Sequence, residues 1–213
     1  MKYYVIYLPG EGNKPILISG SCADQDFGLE RPDGGIWVET SEFINPALYY
    51  ISESNTLTPY TNDEIVRKND RPNIPSRWNI ETKEWEDLRS IADLKVIKNS
   101  IINESRLKAN RDKFSFNNKD FACDELSRSD IDGVNGIVTL TGQLPPGWPG
   151  GWKAIDNTYV PIPDVATWVA FYAAMVTKGT QNFAHAQALK IMLSNATTKE
   201  EIESITWETP TGG

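Results

Sequence analysis

From Thr82 to Arg111 the chain carries neither proline nor glycine, and that unbroken run limits the possible folds more than any other feature. Within it Leu88, Ile91, Leu94, Ile97 and Ile101 recur at three- and four-residue steps, while Asp93, Lys95, Lys98 and Glu104 fall elsewhere. This period predicts an amphipathic helix. Asn99, Ser100, Asn103 and Asn110 dilute the stripe, so two uses stay open. The apolar side, with Ile97 and Ile101 on it, either forms a short interchain coil or covers a sheet of the same chain.

On the N-terminal side of this run the residues read as strands. Lys2 to Leu8, Pro15 to Ser19, Gly35 to Thr40 and Leu48 to Ser52 are short, rich in Tyr, Ile and Val, and separated by Gly, Pro, Asn and Asp. They predict a small antiparallel sheet. Alternation within Tyr4-Val5-Ile6-Tyr7-Leu8 is imperfect, which suggests a strand with neither face fully solvated. Between Pro59 and Trp78 the composition turns polar, and a surface connection and domain boundary are expected there.

Beyond the run, Phe114-Ser-Phe116 and Phe121-Ala-Cys123 flank Asn117-Asn118-Lys119-Asp120, a compact hairpin signal. A short helix is expected over Asp124 to Asp132, stopped by Gly133, then a strand over Ile137 to Leu140 and a Pro-Gly loop from Gly142 to Gly151. Trp152 to Ile155 and Thr158 to Ile162 around Asp156-Asn157 predict a second hairpin. Pro163-Asp164 opens a helical region. Trp168, Phe171, Tyr172, Met175 and Val176 form one apolar stripe there. Phe183, Ala186, Leu189, Ile191, Met192 and Leu193 form another, with Gly179 a break or bend between them. Thr198 and Glu201 make a capping-box pattern for a last short helix ending near Trp207. The expected class is α+β: a β domain over 1–70, a linker and amphipathic helix over 71–111, and a C-terminal domain of hairpins packed on helices over 112–213.

Composition narrows the function. At 213 residues, 39% of them hydrophobic, the chain can bury a core. Its formal net charge of −8, with no basic cluster, argues against nucleic acid as a partner. No apolar run is long enough to cross a membrane, and the N-terminal run is too short and polar-flanked for a signal peptide; a cytosolic chain, or one exported by another route, is expected. Cys22 and Cys123 stand in unlike surroundings and are expected as reduced thiols.

His185 is the single histidine, so a His-dependent triad or zinc site has little to build on, and a helix-packing histidine is expected. Neither a P-loop nor a dinucleotide fingerprint occurs, so ATP and NAD are not expected as cofactors. Asp120, Asp124, Glu125, Asp130 and Asp132 cluster, with Ser127, Arg128 and Ser129 among them. Capping and ion pairing outweigh glycosidic acid/base catalysis as their role, and a calcium site is weaker still. Seven tryptophans are present. Trp148, Trp152, Tyr159 and Trp168 crowd together; Trp152 and Trp168 suit a core joining hairpin to helix, and Trp148 is expected to be exposed, as a contact residue or a loop anchor. Trp148, Trp152 and Tyr159, together with Ile97 and Ile101, are the candidate partner contacts.

An ordered series of motifs carries a resemblance. Arg106-Leu-Lys-Ala-Asn-Arg111 leads into Phe114-Ser-Phe116. Phe121-Ala-Cys-Asp124 follows with Ser127-Arg128-Ser129, then Trp152-Lys-Ala-Ile-Asp156-Asn157, and Asp164 before the Trp168 helix. From about Arg106 to Trp207 the chain resembles an uncharacterised domain that recurs at the ends of bacteriophage tail-associated proteins. The segment from Gly133 to Gly151 departs from that pattern. The opening strands, with Tyr3-Tyr4 and Tyr49-Tyr50, are less specifically similar to small β domains that begin such proteins. The resemblance implies a virion tail component without catalytic residues, assembled in the host cytoplasm. It would be present in several copies or as a homo-oligomer, and its partners would be fibre, baseplate or tail-body proteins. A tail-fibre assembly chaperone and a carbohydrate-binding receptor module or glycan-active enzyme are the alternatives.

Overall fold

A computed structural model describes residues 1–26, 28 and 34–211. The protein is α+β, and its chain forms two compact units, Met1–Arg89 and Ser90–Gly213.

In the first unit β1 (Lys2–Tyr7) lies between β3 (Ile18–Cys22) and β4 (Ile36–Thr40), antiparallel to both. A second sheet has the order β2 (Lys14–Pro15), β5 (Tyr49–Ile51), β6 (Leu57–Pro59). Val5, Tyr7, Ile16, Ile44 and Ile51 form the shared core. Val5, Ile6 and Tyr7 are buried in succession, which accounts for the broken alternation in β1: at that end both faces are covered. The strand expected over Pro15 to Ser19 is two strands, β2 and β3, parted at Ile16 and Leu17. Ile16 turns into the core and Leu17 N–H reaches back to the Ile6 carbonyl at 2.8 Å.

The polar stretch after Pro59 is not a plain surface connection. It holds α1 (Asn62–Asn69), closed at its start by Thr61 and Glu64 in a reciprocal capping box. A hairpin of β7 (Ser76–Asn79) and β8 (Glu84–Asp87) follows. Trp78 lies opposite Trp85 in its register, Arg77 opposite Glu86, and Lys83 takes a left-handed φ of 58° in the turn. The helix expected from Thr82 therefore cannot begin there. The linker and helix expected over 71–111 divide instead, with the hairpin in the first unit and the helix in the second.

The second unit opens with α2 (Ile91–Arg111), whose start is fixed by a capping box between Ser90 and Asp93. The hairpin β9 (Lys113–Phe116) and β10 (Lys119–Ala122) follows; Asn117 and Asn118 both take positive φ, 50° and 59°, as a tight hairpin turn requires. Next comes α3 (Glu125–Thr141), which runs through Gly133 and Gly136 and ends at Gly142 in the left-handed conformation, φ 67°. The stop expected at Gly133 and the strand expected over Ile137 to Leu140 are thus both replaced by helix. Ile131, Val134 and Val138 keep helical spacing across both glycines and pack into one core, outweighing a helix cost of about 1 kcal/mol per glycine.

A last hairpin, β11 (Gly151–Lys153) and β12 (Tyr159–Pro161), precedes α4 (Val165–Asn195) and α5 (Lys199–Ser204). A Cβ on Gly151 would run into the Val160 carbonyl and the Tyr159 ring, so only glycine fits at the strand crossing. Asp164 caps α4, accepting from Thr167 N–H at 2.8 Å. The helix is continuous for 31 residues, so Gly179 neither breaks nor ends it.

α4 is the spine of this unit. Trp168, Phe171, Met175, Asn182, Ala186, Leu189 and Leu193 are its buried residues, on one face by their three- and four-residue steps. Its first half packs with both hairpins and α3, and its second half with Leu94 and Ile102 of α2, Ile202 of α5, and Ile205. Between these two cores Asn182, 6% exposed, donates its side-chain amide to Asn110 at 2.8 Å, which satisfies a polar group that would be costly if left alone.

Candidate functional site

The aromatic residues singled out in the sequence converge at the start of α4. Trp168 and Phe171, both fully buried, sit with ring centroids 5.5 Å apart. Trp148 meets Trp168 edge-on at 5.4 Å and stacks near Trp152 at 6.0 Å. Phe114 and Phe121 close the other side of Phe171 at 5.1 and 4.9 Å. Trp148, expected exposed, is half-buried; its indole N–H donates to the Ile162 carbonyl at 2.9 Å. It anchors the Pro-Gly loop on the core. Trp152 is also half-buried against Trp168. Tyr159 remains 52% exposed, yet its hydroxyl is tied to the Pro149 carbonyl at 2.9 Å.

Four members of the acidic cluster, Asp120, Asp124, Glu125 and Asp132, have separate structural tasks, and Asp130 is exposed. Asp124 accepts from Ser127 and Leu126 N–H as the cap of α3 and from the Ser127 hydroxyl, and the Ser127 bonds above all hold its carboxyl below the usual range. Asp120 is likewise lowered, first by the Lys113 ammonium and then by the Ser115 hydroxyl. Glu125 pairs with Arg111 at 3.3 Å, and Asp132 accepts from the Tyr172 hydroxyl at 3.1 Å. Among the described residues no cluster of three or more His, Cys, Asp or Glu is placed to hold a metal ion. His185 joins the tail of the chain to α4, through the Trp207 carbonyl at 2.7 Å and the Thr211 hydroxyl at 2.6 Å. Both cysteines are free thiols, Cys123 buried with its pKa pushed up by desolvation.

The helices offer a different kind of surface. Of the stripe read on α2, Leu94 is buried, whereas Ile97 and Ile101 are 42% and 47% exposed, and Leu88 lies outside the helix. The second buried residue is Ile102, so the inward face is rotated from the one the sequence suggested. α4 departs from expectation in the same way. Val176 and Phe183, expected in its apolar core stripes, are 41% and 46% exposed, and Val169 is 53% exposed. Val169, Val176 and Phe183 are spaced by seven, so they fall on one line of the helix, away from the buried face. Ala173 and Thr180, also exposed, fill the intervening steps. The Arg106 guanidinium of α2 lies over the Phe183 ring, 4.8 Å from its centroid. α4 is thus apolar on two faces, one covered by its own unit and one open.

The first unit contains a concavity that the sequence reading passed over. Tyr49, Tyr60, Trp78 and Trp85 line it together with Lys68, Arg71 and Arg77. The signal available beforehand was the Trp-x₆-Trp spacing of Trp78 and Trp85, hidden in a segment read as connection and helix. No helix of the described residues is long and apolar enough to cross a membrane.

Residues 93–206, more than half of the chain and most of the second unit, match the model of a family described as a domain of unknown function (DUF4376). The chain belongs to the DUF4376 family. The match starts in the first turn of α2 and ends beyond α5, so the DUF4376 domain comprises the α4 spine, both hairpins and the open helical faces. No curated protein and no solved structure is detectably similar to the chain.

Proposed function

We propose that this protein is a structural component of a bacteriophage tail and acts by protein–protein contact through its DUF4376 domain. The observation that carries the proposal is the second apolar line on α4. Val169, Val176 and Phe183 stand exposed at heptad spacing on a long, well-capped helix, and apolar residues aligned in this way are the pattern by which helices dock on partners. Ile97 and Ile101 on α2 extend the contact residues. The ordered motifs from Arg106 to Trp207, similar to domains at the ends of tail-associated proteins, support placing that contact in a tail. In this reading the chain does its work without turnover: the apolar line fills a groove on fibre, baseplate or tail body, and polar residues at its rim fix the register. Several copies per particle are expected, because tails are symmetric assemblies.

Quantitative mass spectrometry of purified particles from a phage encoding the chain tests this. The expected result is the protein at constant stoichiometry, with Val176→Asp and Phe183→Asp lost from the particle while the purified variants unfold like the parent. A chain present in lysates but missing from finished particles would instead assign it to assembly, as a chaperone.

A further inference from the structure

The cleft of the first unit, about 780 Å³ in volume, is of the size that takes a small ligand, and its chemistry is unlike that of the helical faces. Trp78 lies 5.5 Å from Trp85 and 6.3 Å from Tyr60, both nearly edge-on, so the aromatic planes present faces in different directions. Positive charge lies directly beside them. The Lys68 ammonium is 4.2 Å from the centre of the Tyr60 ring and the Arg71 guanidinium 5.5 Å from that of Trp85. Behind them Lys83, 8% exposed, sits 3.4 Å from the Tyr50 ring centre and donates to the Ile80 carbonyl.

Three cations line the cleft against the carboxylate of Glu86, and that carboxylate is already paired with Arg77 at 2.8 Å. The Lys68 ammonium donates to the Ala47 carbonyl at 3.0 Å, and neither it nor Arg71 has a carboxylate among the lining residues to neutralise it. Desolvation, with the Lys83 charge added, lowers the Lys68 pKa. In a chain of net charge −8, this local excess of positive charge is a built feature.

We propose that this cleft binds an acidic saccharide. The C–H face of a pyranose stacks on one of the two indoles, Trp78 or Trp85, and its carboxylate or phosphate pairs with Arg71 and Lys68. A neutral sugar or an apolar peptide would leave the cations unanswered. The assignment concerns the isolated protein and stands or falls separately from the role of the DUF4376 domain in a tail.

The test is an NMR titration of the full chain, following the indole N–H signals of Trp78 and Trp85. The probes are N-acetylneuraminic acid, glucuronic acid, glucose 6-phosphate, glucose and adenosine monophosphate. Saturable shifts with at least one acidic sugar, and much weaker ones with glucose, are expected; the carboxylate and phosphate probes show which anion the site prefers. Arg71→Ala and, separately, Lys68→Gln should each weaken the acidic sugar about tenfold, as loss of one charge-assisted hydrogen bond does. Glucose binding should stay unchanged, as should the unfolding transition of Arg71→Ala, and Arg71→Lys should restore part of the loss. Three results would overturn the assignment: no saturable shift with any sugar, glucose bound as well as the acids with both variants silent, or adenosine monophosphate preferred over all the sugars.

Discussion

At the scale of single residues, the second unit rests on a few side chains whose environments are unambiguous. Phe171 is fully buried and touches Phe114, Phe116, Phe121, Trp152 and Trp168, so both hairpins meet on one ring. Phe171→Ala should lower stability by about 3 to 5 kcal/mol, the usual cost of emptying such a site, read from the midpoint of urea unfolding. Asp156 supplies a different kind of join. Its carboxylate accepts from the Lys119 ammonium at 2.7 Å and from the Thr158 hydroxyl at 2.6 Å, tying the turn of the second hairpin to the first. The Lys119 hydrogen bond, with the Thr158 bonds after it, holds the Asp156 carboxyl well below its ordinary 3.8. A depressed carboxyl stabilises the fold above its unfolded value, and the contribution disappears as pH falls through the folded one. Carbon-detected NMR should therefore show Asp156 still ionised below pH 3.8, and Lys119→Met should move its titration back up.

At the scale of elements, local signals were readable where one residue type had one structural meaning. Asn117-Asn118 announced a turn because asparagine accepts the left-handed backbone, and Asp164 and Thr198 announced helix starts because their oxygens can take free amides. The β7–β8 hairpin was hidden because its left-handed turn residue is Lys83, which carries no turn signal, and because Asn79 closes the turn through its side chain at Glu81 N–H, 2.7 Å away. Gly133 misled in the opposite direction: as a marker it favours a stop, but the packing of Ile131 and Val138 on either side decided for helix. Gly142 is the residue that does end α3. Gly142→Ala should cost about 1 to 2 kcal/mol, since an L side chain is disfavoured at that backbone angle, while Gly133→Ala, with nothing within 4 Å of the added carbon, should stabilise the helix; thermal melts of the two variants would move in opposite directions. The candidate site was legible only in part for a related reason. Periodicity tells which residues share a line of a helix and not whether that line is covered, so Val176 and Phe183 looked like core, and the outward position of Ile97 and Ile101 followed only once Leu94 and Ile102 were seen to face inward.

At the scale of the whole molecule, the two units have separate cores and separate surfaces suited to different partners. The second unit carries its own caps, its own aromatic and aliphatic cores and the full DUF4376 match. Residues 90–213 expressed alone should unfold cooperatively, with a midpoint near that of the second unit in the full chain; a gradual, non-cooperative loss of helix in circular dichroism would mean that this unit needs residues 1–89 to fold. The claim on which the functional reading depends is that the open line of α4 is occupied in an assembled tail. A reconstruction of the intact particle at side-chain resolution tests it most directly. Val169, Val176 and Phe183 should be covered there by a neighbouring subunit; finding the chain in the particle with that line facing solvent, or finding no density for the chain at all, would contradict it.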